Sequence, residues 1–223
     1  VITALRPAQS INIFSELTNS VVRNRMGPGF DATVTVVGTS SLVTSTSVSN
    51  GAENSITSLR GSTATKVLWP SNSLPSVMTI CSVSRYSGGS YGRILTCDGA
   101  PQWISFLHGH EGSKRGIAWY WVSWVTQSTL SVGVLTDWLV MCGTSGGVAP
   151  GNVLMDQNSV GTRTANADTR TSGQLNVNYI QPSDFELHSL YIWNAVLNPA
   201  QMKDVTAALR AQIGSQPDIA NNA

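Results

Sequence analysis

Ser183-Asp184-Phe185-Glu186-Leu187-His188-Ser189-Leu190-Tyr191-Ile192-Trp193-Asn194-Ala195-Val196-Leu197-Asn198 is the stretch that decides how this chain folds. Residues 184–193 carry aromatic and aliphatic side chains without a Gly or Pro, which predicts a strand. Asn198 then stands as a helix cap, Pro199 suits the first helical position, and Gln201, three residues after the cap, completes a capping box. Met202, Val205, Leu209 and Ile213 recur at helical spacing, and Gly214 can end the helix in the left-handed region. A helix this short and one-sided needs a sheet on which to lay its apolar stripe.

Elsewhere in the chain, short β-rich runs broken by Gly, Ser, Asn and Pro predict strands over residues 32–37, 41–48, 65–69, 77–86, 93–97, 102–107, 116–121, 137–142, 153–156 and 175–179, besides 184–193. Ser87-Gly88-Gly89-Ser90 and Gly143-Thr144-Ser145-Gly146-Gly147 supply turn positions between them. Many short strands with turn-rich spacing and a single helix read as a sandwich or barrel, not as βαβ units. No linker or repeat divides the chain, so residues 1–214 are expected to form one domain and 215–223 a polar tail. The Ser-, Thr- and Asn-rich stretch 19–62 is the least determined.

Composition narrows the function classes. With 13 basic and 12 acidic residues in 223, a net charge of +1, the chain has no field to concentrate a phosphate backbone, so nucleic acid is not an expected partner. No window approaches the roughly 18 consecutive apolar residues of a membrane-spanning helix, so no membrane insertion is expected. The first residue is Val1, which suits a processed or excised chain. Three cysteines are too few for a disulfide scaffold. Cys81 and Cys142 fall in apolar runs, which favours three buried thiols, with one pair plus a free thiol as the alternative.

The run Leu74-Pro75-Ser76-Val77-Met78-Thr79-Ile80-Cys81-Ser82-Val83 resembles the strand that opens the core of concanavalin A-like, laminin-G-type domains, and the stretch 183–198 with its helix is similar to their closing strand and C-terminal helix. Gly92-Arg93-Ile94-Leu95, Trp103, His108-Gly109-His110, Gly116-Ile117-Ala118 and Asp137-Trp138-Leu139-Val140-Met141-Cys142 fall in that family's order between them. The resemblance implies an all-β, jelly-roll β-sandwich of two antiparallel sheets with one short C-terminal helix. Activity does not follow from it, because this fold hosts lectins, adhesion domains, hydrolases, lyases and virion proteins.

Catalysis on such a fold asks for carboxylates facing each other across a glycosidic bond. The chain has only Glu16, Glu53, Glu111 and Glu186, none in an alternating acidic strand; Asp184 and Glu186 are the nearest approach and read as a polar strand entrance. The Gln-x-His triplet expected of a lyase is absent. His108 and His110, two apart, could hold a metal with Glu111, but no third ligand suggests itself. The plainer reading is an inter-strand loop, and as a ligand-contacting loop His110, Glu111, Lys114 and Arg115 would offer donors and acceptors to sugar hydroxyls. Trp119-Tyr120-Trp121-Val122-Ser123-Trp124 concentrates aromatic rings, and alternation would place Trp119 and Trp121 on one face. Isolated Trp69, Trp103, Trp138 and Trp193 read as core or sheet-edge residues. No cofactor is required; calcium is the one candidate, through Asp156, Asn158, Asn166 and Asp168, which read more simply as turn residues.

The sequence therefore predicts a noncatalytic, extracellular or surface-exposed carbohydrate-binding or adhesion module, with His108, His110, Glu111, Arg115, Trp121 and Trp124 as ligand-binding residues. A structural protein of a capsid, fibre or appendage, with other copies as partners, is the alternative, and an unrecognised glycoside hydrolase using Glu111 or Glu186 is the third.

Overall fold

The computed structural model describes residues 9–12, 17–18, 21–22, 32–36, 41–45, 49–98, 106–121, 123–126, 133–164 and 172–214. Trp103, Asn166, Asp168, residues 37, 46–48 and 102–105 of three expected strands, and the expected tail 215–223 lie outside these. The strands are, in chain order, β1 (Gln9–Asn12), β2 (Leu17–Thr18), β3 (Val21–Val22), β4 (Ala32–Val36), β5 (Ser41–Ser45), β6 (Ile56–Gly61), β7 (Thr65–Leu68), β8 (Leu74–Pro75) and β9 (Thr79–Tyr86). There follow β10 (Leu95–Asp98), β11 (Phe106–Glu111), β12 (Lys114–Tyr120), β13 (Ser123–Trp124), β14 (Leu139–Thr144), β15 (Val153–Met155), β16 (Asn158–Ser159), β17 (Ser172–Val177), β18 (Phe185–Trp193) and the helix α1 (Pro199–Ile213). The fold is an all-β sandwich of two antiparallel sheets with one short C-terminal helix.

The first sheet runs β16-β15-β14-β9-β18-β6-β5, with β1 also on β18; the second runs β13-β12-β11-β10-β17-β7-β4-β3-β2, with β8 on β17. All eight residues of β9 are buried, because its two faces are covered by different layers. Ile80 and Tyr86 enter the core between the sheets, together with Leu59, Leu139, Met141, Phe185, Leu187 and Leu190 of the first sheet and Val67, Leu95, Phe106, Tyr120, Leu175 and Val177 of the second. Cys81 and Val83 turn to the other side, where Val140, Leu154 and Trp193 meet Met202, Leu209 and Ile213 of α1. This explains why the deciding strand, β18, lacks a clean polar alternation: it too is covered on both faces.

Local chemistry fixes the helix as its sequence implies. The Asn198 side chain accepts from the Gln201 backbone N–H and the Gln201 side chain from that of Asn198, each at 2.9 Å. Gly214 ends the helix at φ 73°, and the backbone N–H groups of Glu53 and Asn54 donate to the Ile213 carbonyl. Thr206 and Arg210 join the buried face, neither of them part of the apolar stripe. The reason for Arg210 is Asp156, whose Oδ1 it meets at 2.5 Å, clamping the helix to the turn between β15 and β16.

A second charged device crosses the first sheet. Glu186 lies in register with Arg60 on one side and Arg85 on the other. It is buried, accepts from Arg85 Nε and Nη2 at 3.1 and 2.9 Å and from Arg60 Nε at 2.7 Å, and takes a bond from Ser58 Oγ. A buried carboxylate tolerates this environment because each lone pair finds a donor.

The cysteine expectation is corrected. Cys81 and Cys142 sit directly opposite each other on β9 and β14 and form a disulfide, while Cys97 is a buried thiol. An apolar setting did not distinguish the cases, since burial beneath α1 suits a disulfide as well as two thiols. The bond closes a loop spanning 61 positions, for which chain-entropy reasoning gives about 4 kcal/mol. The double substitution Cys81→Ala/Cys142→Ala is expected to lower unfolding free energy by that order, measured by urea denaturation; a loss under about 1 kcal/mol would contradict it.

Candidate functional site

The segment expected to be a loop, His108 to Arg115, is instead a tight β-hairpin. Strand β11 runs through Glu111 and β12 begins at Lys114, with only Gly112 and Ser113 between them, both at positive φ (55° and 62°). Two consecutive left-handed residues are what a two-residue hairpin turn requires. Pairing brings Glu111 opposite Lys114 and His110 opposite Arg115.

This register turns most of the expected ligand residues inward. His108 and His110 are wholly buried, and Arg115 and Trp121 retain 3% and 2% exposure. The expectation that these four contact a ligand is corrected by that burial: the strand pair aims them into the protein. His108 Nδ1 shares a 2.7 Å hydrogen bond with Tyr120 Oη, whose phenol lies against Gly143 of the opposite sheet so closely that no Cβ would fit there. His110 packs edge-on to the Tyr86 ring, with centroids 4.8 Å apart. Arg115 donates to the Val134 and Trp138 carbonyls and stands 3.5 Å from Asp156. Trp121 enters the core beside Phe106 and donates to the Ser76 carbonyl at 2.8 Å.

Electrostatics follow from this packing. Burial drives the His108 pKa down to about 3. The same cause, with Arg115 and then His108 adding to it, holds His110 well below the ordinary histidine value. Burial also raises the hydroxyl pKa of Tyr86, with the Glu111 carboxylate as a second cause. Glu111 itself remains half-buried and takes Arg93 Nε at 3.0 Å.

The residues nearest to solvent in the aromatic run are Trp119 and Trp124. Tyr120 pairs with Ser123 and Trp119 with Trp124, so the chain reverses through Trp121, which adopts φ 60°. The reversal sends Trp121 into the core and leaves Trp119 and Trp124 as a half-exposed cross-strand pair, rings perpendicular with centroids 5.0 Å apart. Trp119 Nε1 is tied to the Trp121 carbonyl. Trp119 was not among the expected ligand residues; the alternation assumed for the run hid it, and a reversal inside the Trp-rich segment was the missing step.

Register places this pair on the outer face of the second sheet, the one turned away from the core, on which Leu107, Thr96 and Asn176 are themselves buried. Trp124, Trp119, Leu107, Thr96, Asn176 and Leu68 stand side by side across β13, β12, β11, β10, β17 and β7. Their neighbours in sequence, Phe106, Leu95, Leu175 and Val67, point into the core. Lys66 lies on the same face, its ammonium 5.0 Å from the ring centroid of the exposed Tyr179. The Glu111–Lys114 end of the hairpin lies five residues from Trp119, about 16 Å along the strand, so the expected ligand residues do not form one cluster.

Among the described residues, no three His, Cys, Asp or Glu side chains gather as a metal site. Asp156, the described carboxylate of the calcium expectation, is occupied by Arg210, Arg115 and the Val140 N–H. Burial raises its pKa against the pull of those cations. Glu186 and Glu111, the acids of the hydrolase reading, are each held by arginine.

No protein family and no curated protein matches the chain. Solved structures do match in fold. A Trypanosoma rangeli sialidase in complex with sialic acid superposes with a TM-score of 0.61 at 11% identity, over 93% of this chain and 33% of that one. Domain 4 of an extracellular arabinanase from Geobacillus stearothermophilus, in complex with arabinotriose, matches with a TM-score of 0.58 at 13% identity, over 82% and 91%. The binding domain of botulinum neurotoxin DC, in complex with SialylT, gives 0.56 at 12%, over 91% and 51%. The chain thus spans about a third of the sialidase and most of the arabinanase domain.

The two inner and outer tryptophans separate by stability. Trp121→Ala should cost about 3–5 kcal/mol as a core truncation, whereas Trp124→Ala, which gives up a half-exposed ring and a pair worth about 0.5–1.5 kcal/mol beyond its buried area, should cost less. Chemical denaturation of both variants checks this, and equal losses would contradict the placement.

Proposed function

We propose that this domain is a noncatalytic carbohydrate-binding module of the concanavalin A-like, laminin-G-type jelly rolls, working at a surface or outside the cell. The observation that carries the reading is the perpendicular, half-exposed Trp119–Trp124 pair on the outer face of the second sheet. Flat rings with one polar edge suit the C–H faces of a pyranose, and a nearly uncharged chain suits a neutral saccharide held by stacking and hydrogen bonds. Two of the fold neighbours support it, an arabinanase domain in complex with arabinotriose and a toxin binding domain in complex with SialylT. The disulfide supports an oxidising location. Engagement of Glu111 and Glu186 by arginines supports a binding role over hydrolysis.

A glycan array followed by calorimetric titration tests the proposal. Trp119→Ala and Trp124→Ala should each weaken binding at least about tenfold, the loss of roughly 1.4 kcal/mol, while melting curves stay near the parent's. Binding that survives both substitutions would move the site elsewhere. A stable oligomer in which both rings are protected, with no glycan bound, would favour the assembly alternative.

A further inference from the structure

We infer that the sandwich contains an acid switch: His108 and His110 are enclosed between the sheets where a proton can be accommodated only if the sheets part, so the fold gives way as the surroundings become acidic. This stands apart from the glycan reading, because it concerns the interior and not the outer face.

The geometry begins with strand β11. His108 and His110 flank Gly109, both have no exposed surface, and both point toward the first sheet. Neither ring nitrogen of His110 has a hydrogen-bond partner, whereas His108 is met by Tyr120 Oη and by the Met141 backbone. Across from them the hydroxyls of Ser82 and Ser84 on β9 are also buried without partners, and Ser84 Oγ faces Gly109, the residue between the two histidines in sequence.

The charged and titratable groups around His110 oppose its protonation or are already engaged. Arg115 of β12 is its direct register partner and places a buried guanidinium beside it. Asp156, which follows β15, stands behind Arg115 and is shared with Arg210 of α1. Glu111, the next residue on β11, is held by Arg93 from the segment before β10. Tyr86 of β9 presents its ring, and its hydroxyl donates to the Gly92 carbonyl. Around His108 stand Tyr120 of β12 and the backbone of Met141 on β14. Arg85 and Glu186 lie on the opposite face of the first sheet, turned toward each other. A second cation beside Arg115 in this interior would be a like-charge pair removed from water.

The sign follows directly. The unfolded chain takes up a proton on each imidazole below about pH 6.5, and the folded chain does not until far lower, about 3 for His108. Stability is therefore complete above the unfolded value and falls as pH drops from there toward the folded value. At pH 5 a histidine that stays neutral in the folded chain and titrates normally in the unfolded one shifts the folding equilibrium constant by about 30-fold, which is the share of His108, and His110 adds to it in the same direction. His188, buried between the first sheet and the helix side with its pKa lowered to about 4, adds up to a further 30-fold. Native folding constants run from about 10³ to 10⁸, so a change of this size reaches the whole margin of a weaker domain.

Urea denaturation of the intact chain between pH 8 and pH 5 tests the inference, since free carboxylates titrate mostly below that window. The folding constant should fall by about 1,000-fold or more, and His110→Phe, which keeps a ring and removes the titration, should recover part of that fall at pH 5. A fall below tenfold, or a His110→Phe profile parallel to the parent's, would overturn the inference. If His110→Phe does not fold, imidazole NMR resonances of the parent decide. They should stay unshifted in the folded population while that population shrinks, and two of them titrating near pH 6.5 in the folded protein would refute the switch.

Discussion

Everything in this protein depends on burying β9 from both sides. An antiparallel sheet with one wet face would leave Cys81, Val83, Val140 and Trp193 exposed, and α1 is the element that covers them. Each part of the C-terminal segment serves that purpose: the cap of Asn198 and Gln201 starts the helix, Met202, Leu209 and Ile213 contact the sheet, and Arg210 anchors it through Asp156. Every ~100 Å² of apolar surface so covered contributes roughly 2.5 kcal/mol, more than an exposed ion pair supplies. The sandwich is therefore three layers deep at its centre, sheet on sheet on helix.

That centre also explains what the sequence disclosed and what it concealed. The β18-to-α1 passage was legible because cap, proline, stripe and terminal glycine are local signals read without knowing any partner. Strands β9, β14 and β15 were legible because apolar runs bounded by turns leave few alternatives. Strand β6 was missed in the Ser- and Thr-rich stretch, where Ile56 and Leu59 are too sparse to announce a strand yet sit deep in separate cores. The β11–β12 turn was missed because polar His, Glu, Lys and Arg look like a loop; only the tertiary structure reveals that Arg115 and both histidines point inward.

The candidate site was legible as a composition and not as a geometry. Four aromatic residues in six announced something unusual, but alternation cannot say where a strand reverses, and the reversal at Trp121 decides which rings face outward. The same limit applied to Glu186. Its place beside Asp184 suggested a strand entrance, whereas its register partners Arg60 and Arg85 come from residues more than a hundred positions earlier. Pairings of that range are set by sheet order, which no local pattern encodes.

The disulfide has a further consequence for the integrity of the hairpins it encloses. The segment between Cys81 and Cys142 contains β10, β11, β12 and β13, including the tryptophan pair. A single proteolytic nick anywhere in that span leaves two fragments joined by a bond buried beneath the helix, so the cut chain still migrates as one piece until a reductant reaches the sulfurs. Damage within the closed loop is thus contained, and the neighbouring strands stay within reach of each other to pair again.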